Sequence, residues 1–180
     1  MKHLYFDNCY YFVTRSTFSR EKLFNSDNEK RIILNRLISS QKKFNFSLNA
    51  FSILANHYHY LIFLPQGNIL PKLEQFIAGG SAYELNRLAN VSRHVWSEYL
   101  EKVVDEENLE KVLGYILGNL LKHKEISDFN ELQVSPFSSY RQAIIRYGKE
   151  AVEDLVLSTE GLDLENKTDF EKLFKSINAH

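Results

Sequence analysis

Cysteine is almost absent, with Cys9 the only one in 180 residues. One thiol cannot close an intrachain disulfide or build a Cys-rich zinc module, so a reducing, cytoplasmic setting is the expectation. Long apolar runs are missing as well. The first residues, MKHLYFDNCYYF, hold only a short apolar stretch broken by Asp7 and Asn8. Neither a signal peptide nor a membrane span is therefore expected. Net charge is close to nil, since 22 Lys/Arg against 23 Asp/Glu give −1. That balance conceals a polarity along the chain. Residues 1–100 hold 12 basic against 7 acidic side chains, and residues 101–180 hold 10 against 16. A basic N-terminal part can carry a phosphate backbone even when the whole chain is not basic. What the chain does have is apolar and aromatic content, 44% and 13%, enough for one globular domain with a substantial core and a C-terminal appendage.

The stretch Ser52 to Pro65, SILANHYHYLIFLP, sets two histidines one residue apart inside a strand-like run. Side chains alternate faces in an extended chain, so His57 and His59 point the same way. Two convergent imidazoles can hold a metal, and they can equally sit on a wet strand edge. A third ligand and a reacting group elsewhere decide between these.

The surrounding pattern predicts the frame. Cys9 to Arg15 is β-branched and aromatic, a first strand. Ser26-Asp27-Asn28 offers an N-cap, and Ile32, Ile33, Leu37 and Ile38 follow at helical spacing to about Lys43. Phe44, Phe46, Leu48 and Ala50 alternate in a second strand ending near Leu54. His57 to Leu64 is the third, and Ala55-Asn56 leaves room only for a tight turn between antiparallel partners. A helix carrying Leu73, Phe76, Ile77, Leu85 and Leu88 comes next, interrupted or kinked at Gly79-Gly80. This β-α-β-β-α order is most of an α+β, ferredoxin-like or RRM-like unit, an antiparallel sheet with helices packed on one face and the other open to a site. A further helix is predicted over Asp105 to Lys124, with Leu109, Val112, Leu113, Ile116 and Leu120 as its buried stripe. Tyr115 and Asn119, four apart, lie one turn above the other. Gly114 and Gly118 each cost about 1 kcal/mol in a helix interior. Close approach to the sheet or a substrate strand explains them, and so does tight helix packing.

Together these residues resemble a known set. His57-Tyr58-His59 is similar to the HUH motif (His, bulky hydrophobic, His) of single-strand DNA nucleases and transposases. From about Tyr10 to Tyr140 the chain resembles the REP-associated tyrosine transposases, relatives of the single-tyrosine insertion-sequence transposases. The matching pieces are Tyr11-Phe-Val-Thr-Arg15, Trp96, Tyr115-Ile-Leu-Gly-Asn119-Leu-Leu-Lys122-His123 and Pro136-Phe-Ser-Ser-Tyr140. Gly114 stands where an acidic residue is usual, Leu120 where a Pro is, and Lys102 where many relatives have His; none of these removes a proposed ligand or nucleophile.

The resemblance implies an HUH catalytic domain over residues 1–148. The acidic segment 149–180 has no counterpart in it; helical patterns at Ala151 to Leu157 and Phe170 to Ile177 make it a C-terminal helical extension, expected to pack on the sheet, cover the site or contact a partner. The resemblance also implies single-strand DNA cleavage and strand transfer through a 5′-phosphotyrosine on Tyr115, with a divalent ion, Mg²⁺ or Mn²⁺, held by His57, His59 and Asn119. Ligand chemistry alone favours Mn²⁺ or Zn²⁺ over Mg²⁺ for two imidazoles. The expected partner is single-stranded hairpin DNA, and the expected state a monomer or homodimer. Arg15, Arg20, Lys22, Lys42 and Lys43, with Lys122 and His123, are the phosphate-contact candidates, and Tyr10, Tyr11, Tyr58 and Tyr60 the stacking candidates, half of which strand alternation must turn toward the helices. A non-catalytic single-stranded nucleic-acid-binding protein derived from a transposase is the alternative. A metallo-hydrolase fits poorly, because Tyr60-Leu61 stand where Asp-His is usual.

Overall fold

The computed structural model describes residues 4–165 and Leu173. Four antiparallel strands, β1 (Cys9–Thr17), β2 (Ser47–Ile53), β3 (His57–Leu64) and β4 (Trp96–Val104), form one sheet in the order β2-β3-β1-β4. The central pair is the most apolar: Tyr11, Phe12, Val13, Tyr60, Leu61 and Ile62 are all essentially buried, as strands covered on both faces must be. The predicted strands and tight hairpin are present, but β2 begins at Ser47, so Phe44 and Phe46 lie in the connection before it.

The fourth strand was not foreseen. It is an edge strand carrying Glu98, Glu101 and Lys102, with Leu100 exposed. Charged side chains on an edge discourage pairing with another chain and also blur the apolar alternation by which a strand is recognised.

On one face of the sheet lie α1 (Asp27–Lys43), α2 (Leu70–Glu74) and α3 (Gly80–Ala89), the last two joined through a π-helical turn at Gln75–Gly79 rather than broken at Gly79-Gly80. A capping box starts α1: the Ser26 hydroxyl accepts from Glu29 N–H, and the Glu29 carboxylate accepts from Ser26 N–H at 2.8 Å. Ile32, Ile33 and Leu37 are buried, whereas Ile38 faces solvent. Beneath this layer is a fully bonded ionic knot. The Glu74 carboxylate, 1% exposed, accepts from the Tyr58 and Tyr60 hydroxyls (2.9 and 2.6 Å) and from Arg15 Nη1 at 2.9 Å.

The second face is not bare. Over β2 and β3 lies α4 (Glu106–Leu117), N-capped by Asp105. The single long helix expected here is interrupted at Gly118, after which α5 (Asn119–Lys122) continues the same course. Two short helices follow, α6 (Phe129–Val134) and α7 (Tyr140–Tyr147), and then α8 (Lys149–Ser158), which matches the first helical pattern foreseen in the extension. The second pattern, Phe170 to Ile177, lies outside the described residues apart from Leu173.

α8 resolves the question of the two glycines. A Cβ on Gly114 would stand 2.5 Å from the Leu155 carbonyl oxygen, and one on Gly118 would stand 2.5 Å from Val156 Cγ1. The glycines let α8 lie against α4, so tight helix packing accounts for them. From the end of α8 the chain turns back, and residues 162–165 cross over the sheet beside His57.

Candidate active site

The tight turn between β2 and β3 fixes His57. Leu54 N–H donates to His57 C=O (2.9 Å), while the turn carbonyls of Ala55 and Asn56 accept from Phe24 N–H (2.9 Å) and Thr17 N–H (2.8 Å). Glu125 Oε1 accepts from Ala55 N–H at 2.7 Å. With the corner pinned on three sides, alternation along β3 brings His57 and His59 to one face, their ring centroids 4.9 Å apart. The His59 ring stacks on Phe12, 5.5 Å between centroids, and neither of its buried nitrogens has a hydrogen-bond partner. Burial, against the opposing pull of Glu165, pushes its imidazole down to about 4. It is neutral at pH 7.

The helix supplies the rest. Tyr115 is 2% exposed, its ring 5.4 Å from that of His59, and Lys122 Nζ lies 4.6 Å from its centroid. One turn on, Asn119 Oδ1 is 3.2 Å from His57 Nε2. His123 follows, its ring 4.8 Å from His57. Thus His57, His59, Tyr115, Asn119, Lys122 and His123 come together.

Asn56 sets the proton on His57. Its amide nitrogen donates to Arg20 C=O (3.1 Å), which turns Oδ1 to His57 Nδ1 at 2.7 Å. Nδ1 therefore carries a hydrogen. Nε2 faces the Asn119 oxygen and a carboxylate.

The carboxylate is Glu165, which sequence reasoning missed. Its Oε1 lies 2.9 Å from His123 Nε2, 3.1 Å from His57 Nε2 and 3.6 Å from His59 Nε2, and Oε2 meets Arg20 Nη1 at 2.5 Å. Burial acts to raise its pKa, but the surrounding imidazoles outweigh that and hold it well below the usual carboxylate range. Asp163 accepts from Lys122 Nζ (3.2 Å) and from Glu165 N–H (3.1 Å). Nothing in Leu162-Asp-Leu-Glu165, far beyond Tyr115 in the sequence, marks it for this role. Asn56, by contrast, had a signal, since it immediately precedes the His-x-His pair.

The Tyr115 hydroxyl is buried and makes no hydrogen bond of ordinary geometry. Its phenol is pushed up by burial first and then by the charges of Glu165 and Asp163, while the Asn119 side chain and Leu164 backbone pull slightly the other way. It is protonated in this arrangement.

Other candidates lie elsewhere. Arg15 points to the opposite face, into the Glu74 knot, and also donates to Ser97 C=O. Lys22 is exposed near Arg20. Lys42 and Lys43 end α1, roughly 20 Å along its axis from the corner that holds His57. Tyr11, Tyr58 and Tyr60 are buried, so the stacking role expected of them fails; both sheet faces are covered. Tyr10 remains half-buried, edge-on to Phe63.

A family model described as IS200-like transposase matches residues 5–119. The structure of a REP-associated tyrosine transposase bound to a REP hairpin aligns with 81% of this chain and 85% of its own, with a TM-score of 0.65 and 18% identity. A crystal structure from Deinococcus radiodurans R1, described as a candidate transposase, covers 64% of this chain and 95% of its own at a TM-score of 0.47 and 18% identity. No curated protein matches the chain. Among the described residues no helix is long and apolar enough to cross a membrane.

Proposed function

The chain belongs to the IS200-like transposase family, whose model spans residues 5–119, and on that premise we propose that it cleaves and rejoins single-stranded DNA through a covalent bond to Tyr115. The observation that carries this reading is the gathering of unsatisfied buried polar atoms at one place. Both His59 nitrogens, the Tyr115 hydroxyl and the Asn119 amide nitrogen lack partners there. Buried polar groups are seldom left unpaired unless a ligand completes them.

Residues 1–148 form the catalytic unit in this reading and 149–180 an extension. The Tyr115 oxygen attacks a backbone phosphorus and loses its proton; the 3′-oxygen leaves and gains one, so the product is a 5′-phosphotyrosine and a free 3′-hydroxyl. Attack by that hydroxyl, or another, reverses the step and joins strands without consuming a nucleotide. His57, His59 and Asn119 have the donor set to hold a divalent ion such as Mn²⁺ or Mg²⁺, which when bound polarises the phosphate and offsets developing charge. Lys122, over the Tyr115 ring, and Arg20 stand where they can take phosphate oxygens once Asp163 and Glu165 release them. With Tyr115 buried beneath residues 162–165, DNA reaches it only when that segment lifts. The same movement removes two carboxylates from the phenol and eases its ionisation.

A hairpin with a single-stranded flank is the expected substrate; the REP-associated relative is bound to a REP hairpin. Duplex DNA must first unpair, at a cost of a few kcal/mol. Incubation with such DNA and Mn²⁺ yields an adduct that survives denaturation. Tyr115→Phe abolishes it with hairpin binding retained, and His59→Ala slows it about a thousandfold or more. Hairpin binding with no adduct from wild-type protein on any native repeat would instead favour a binding protein without catalysis.

A further inference from the structure

We infer that His57, His123 and Glu165, whose ligand atoms all lie within 4.8 Å of one another, form a transition-metal centre of two imidazoles and one carboxylate beside His59, assembled when residues 162–165 lie across the sheet. The inference rests on reading the site as a metal centre and is independent of the role of Tyr115.

Geometry is the first support. Ligand atoms bound at about 2.1 Å to one ion stand roughly 3.0–3.4 Å from each other along the edges of an octahedron or tetrahedron. Glu165 Oε1 lies 2.9 and 3.1 Å from the Nε2 atoms of His123 and His57 and 3.6 Å from that of His59. These spacings bracket such edges. Glu165 Oε1 accepts no hydrogen bond of ordinary geometry despite this closeness.

Chemistry is the second. Asn56 holds the proton of His57 on Nδ1 and leaves Nε2 free to coordinate, the arrangement by which an outer partner fixes a metal-binding histidine. Glu165 is itself steadied through Oε2 by Arg20 at 2.5 Å. Imidazole and carboxylate together suit Zn²⁺ and Mn²⁺ and select against Mg²⁺, which prefers oxygen. One negative ligand among neutral ones also raises affinity for a dication above that of the histidines and amide alone.

The test is calorimetric titration of the full, metal-stripped protein with Zn²⁺ and with Mn²⁺ in the absence of DNA. One ion binds per chain, and Glu165→Gln and His123→Gln each weaken Zn²⁺ binding tenfold or more, while Tyr115→Phe binds as wild type does. Circular dichroism of each variant checks its fold, and anomalous diffraction at the zinc edge places the ion against Glu165. Wild-type affinity in both Glu165→Gln and His123→Gln, with loss in His57→Gln, would overturn the inference and leave the proposed cleavage standing. So would the absence of any binding by wild type without DNA while the Tyr115 adduct still forms. Binding as inferred without any adduct would count against the proposed cleavage alone.

Discussion

Replacing Gly114 by Ala sets two known effects of opposite sign against each other. Alanine improves helix propensity by about 1 kcal/mol, so an isolated α4 would be stabilised. In the folded chain the new Cβ would sit 2.5 Å from the Leu155 carbonyl oxygen, 3.0 Å from Thr159 Cγ2 and 3.1 Å from the Leu155 carbonyl carbon, where ordinary contact begins at 3.4 Å. The obstacle is backbone and cannot rotate away, so α8 must withdraw by about 1 Å. Overpacking of this kind costs about 1–3 kcal/mol, occasionally more. The net expectation is a loss of about 1–2 kcal/mol, read as a lower urea midpoint at unchanged slope. Hydrogen exchange adds a second readout, since protection should fall in α8 while β1 and β3 keep theirs. Gly118→Ala meets Val156 Cγ1 at 2.5 Å, a side chain held to one rotamer in a helix. Val156→Ala should therefore rescue part of its cost, a coupling that a double-mutant cycle measures. If Gly114→Ala proves more stable than wild type by the full helix-propensity gain, α8 does not rest on α4 in solution and the reasoning is refuted.

Other expectations concern the buried groups. Glu74→Ala strands Arg15 and two tyrosine hydroxyls, so it should cost about 3–5 kcal/mol in chemical denaturation; a loss below 1 kcal/mol would mean that water enters the knot. His59 is held down at about 4 in the folded chain and titrates near 6.5 when unfolded. The unfolded state takes the proton first, so this contribution to stability is complete above pH 6.5 and falls by up to about 3 kcal/mol as pH drops toward 4. His59→Gln should flatten the profile in that window, and an unchanged slope would contradict a buried, neutral imidazole. Tyr115→Phe removes a hydroxyl that has no partner, so thermal melting should show unchanged or slightly raised stability; a large loss would reveal a bond that the structure lacks. Ser26→Ala should lower stability by about 1 kcal/mol through loss of the capping box.

Much of this arrangement could be read from local pattern. Alternation put both histidines on one face, helical spacing put Tyr115 and Asn119 a turn apart, and Ser26-Asp27-Asn28 announced the start of α1. What escaped was set by partners distant in sequence. β4 is an edge strand whose charged residues satisfy solvent on one side, which erases the periodic signal. Alternation already required half of the tyrosines to face the helices, but it cannot say which ones or that the second face is covered too; Tyr58 and Tyr60 meet Glu74. Arg15 was drawn to that same carboxylate. Glu165 reaches the histidines only because α8 docks on two glycines and the chain then reverses, a path no local window contains.

The corner between β2 and β3 bears on how the chain could be rebuilt. Its two residues, Ala55 and Asn56, hold β1, the loop before α1 and the segment after α5 through backbone and side-chain bonds. New termini or an inserted tag there would uncouple His57 from the frame that aims it. The loop Asn90–His94 is exposed throughout, yet it enters β4 at the same end of the sheet as the corner, with His94 against Phe18 and Trp96 paired with Thr17, so new termini there would act on the same frame. Short as it is, the hairpin turn is the point from which the cluster takes its coordinates, and labels or fusions belong at the other end of the strands, near Leu64 and Val104.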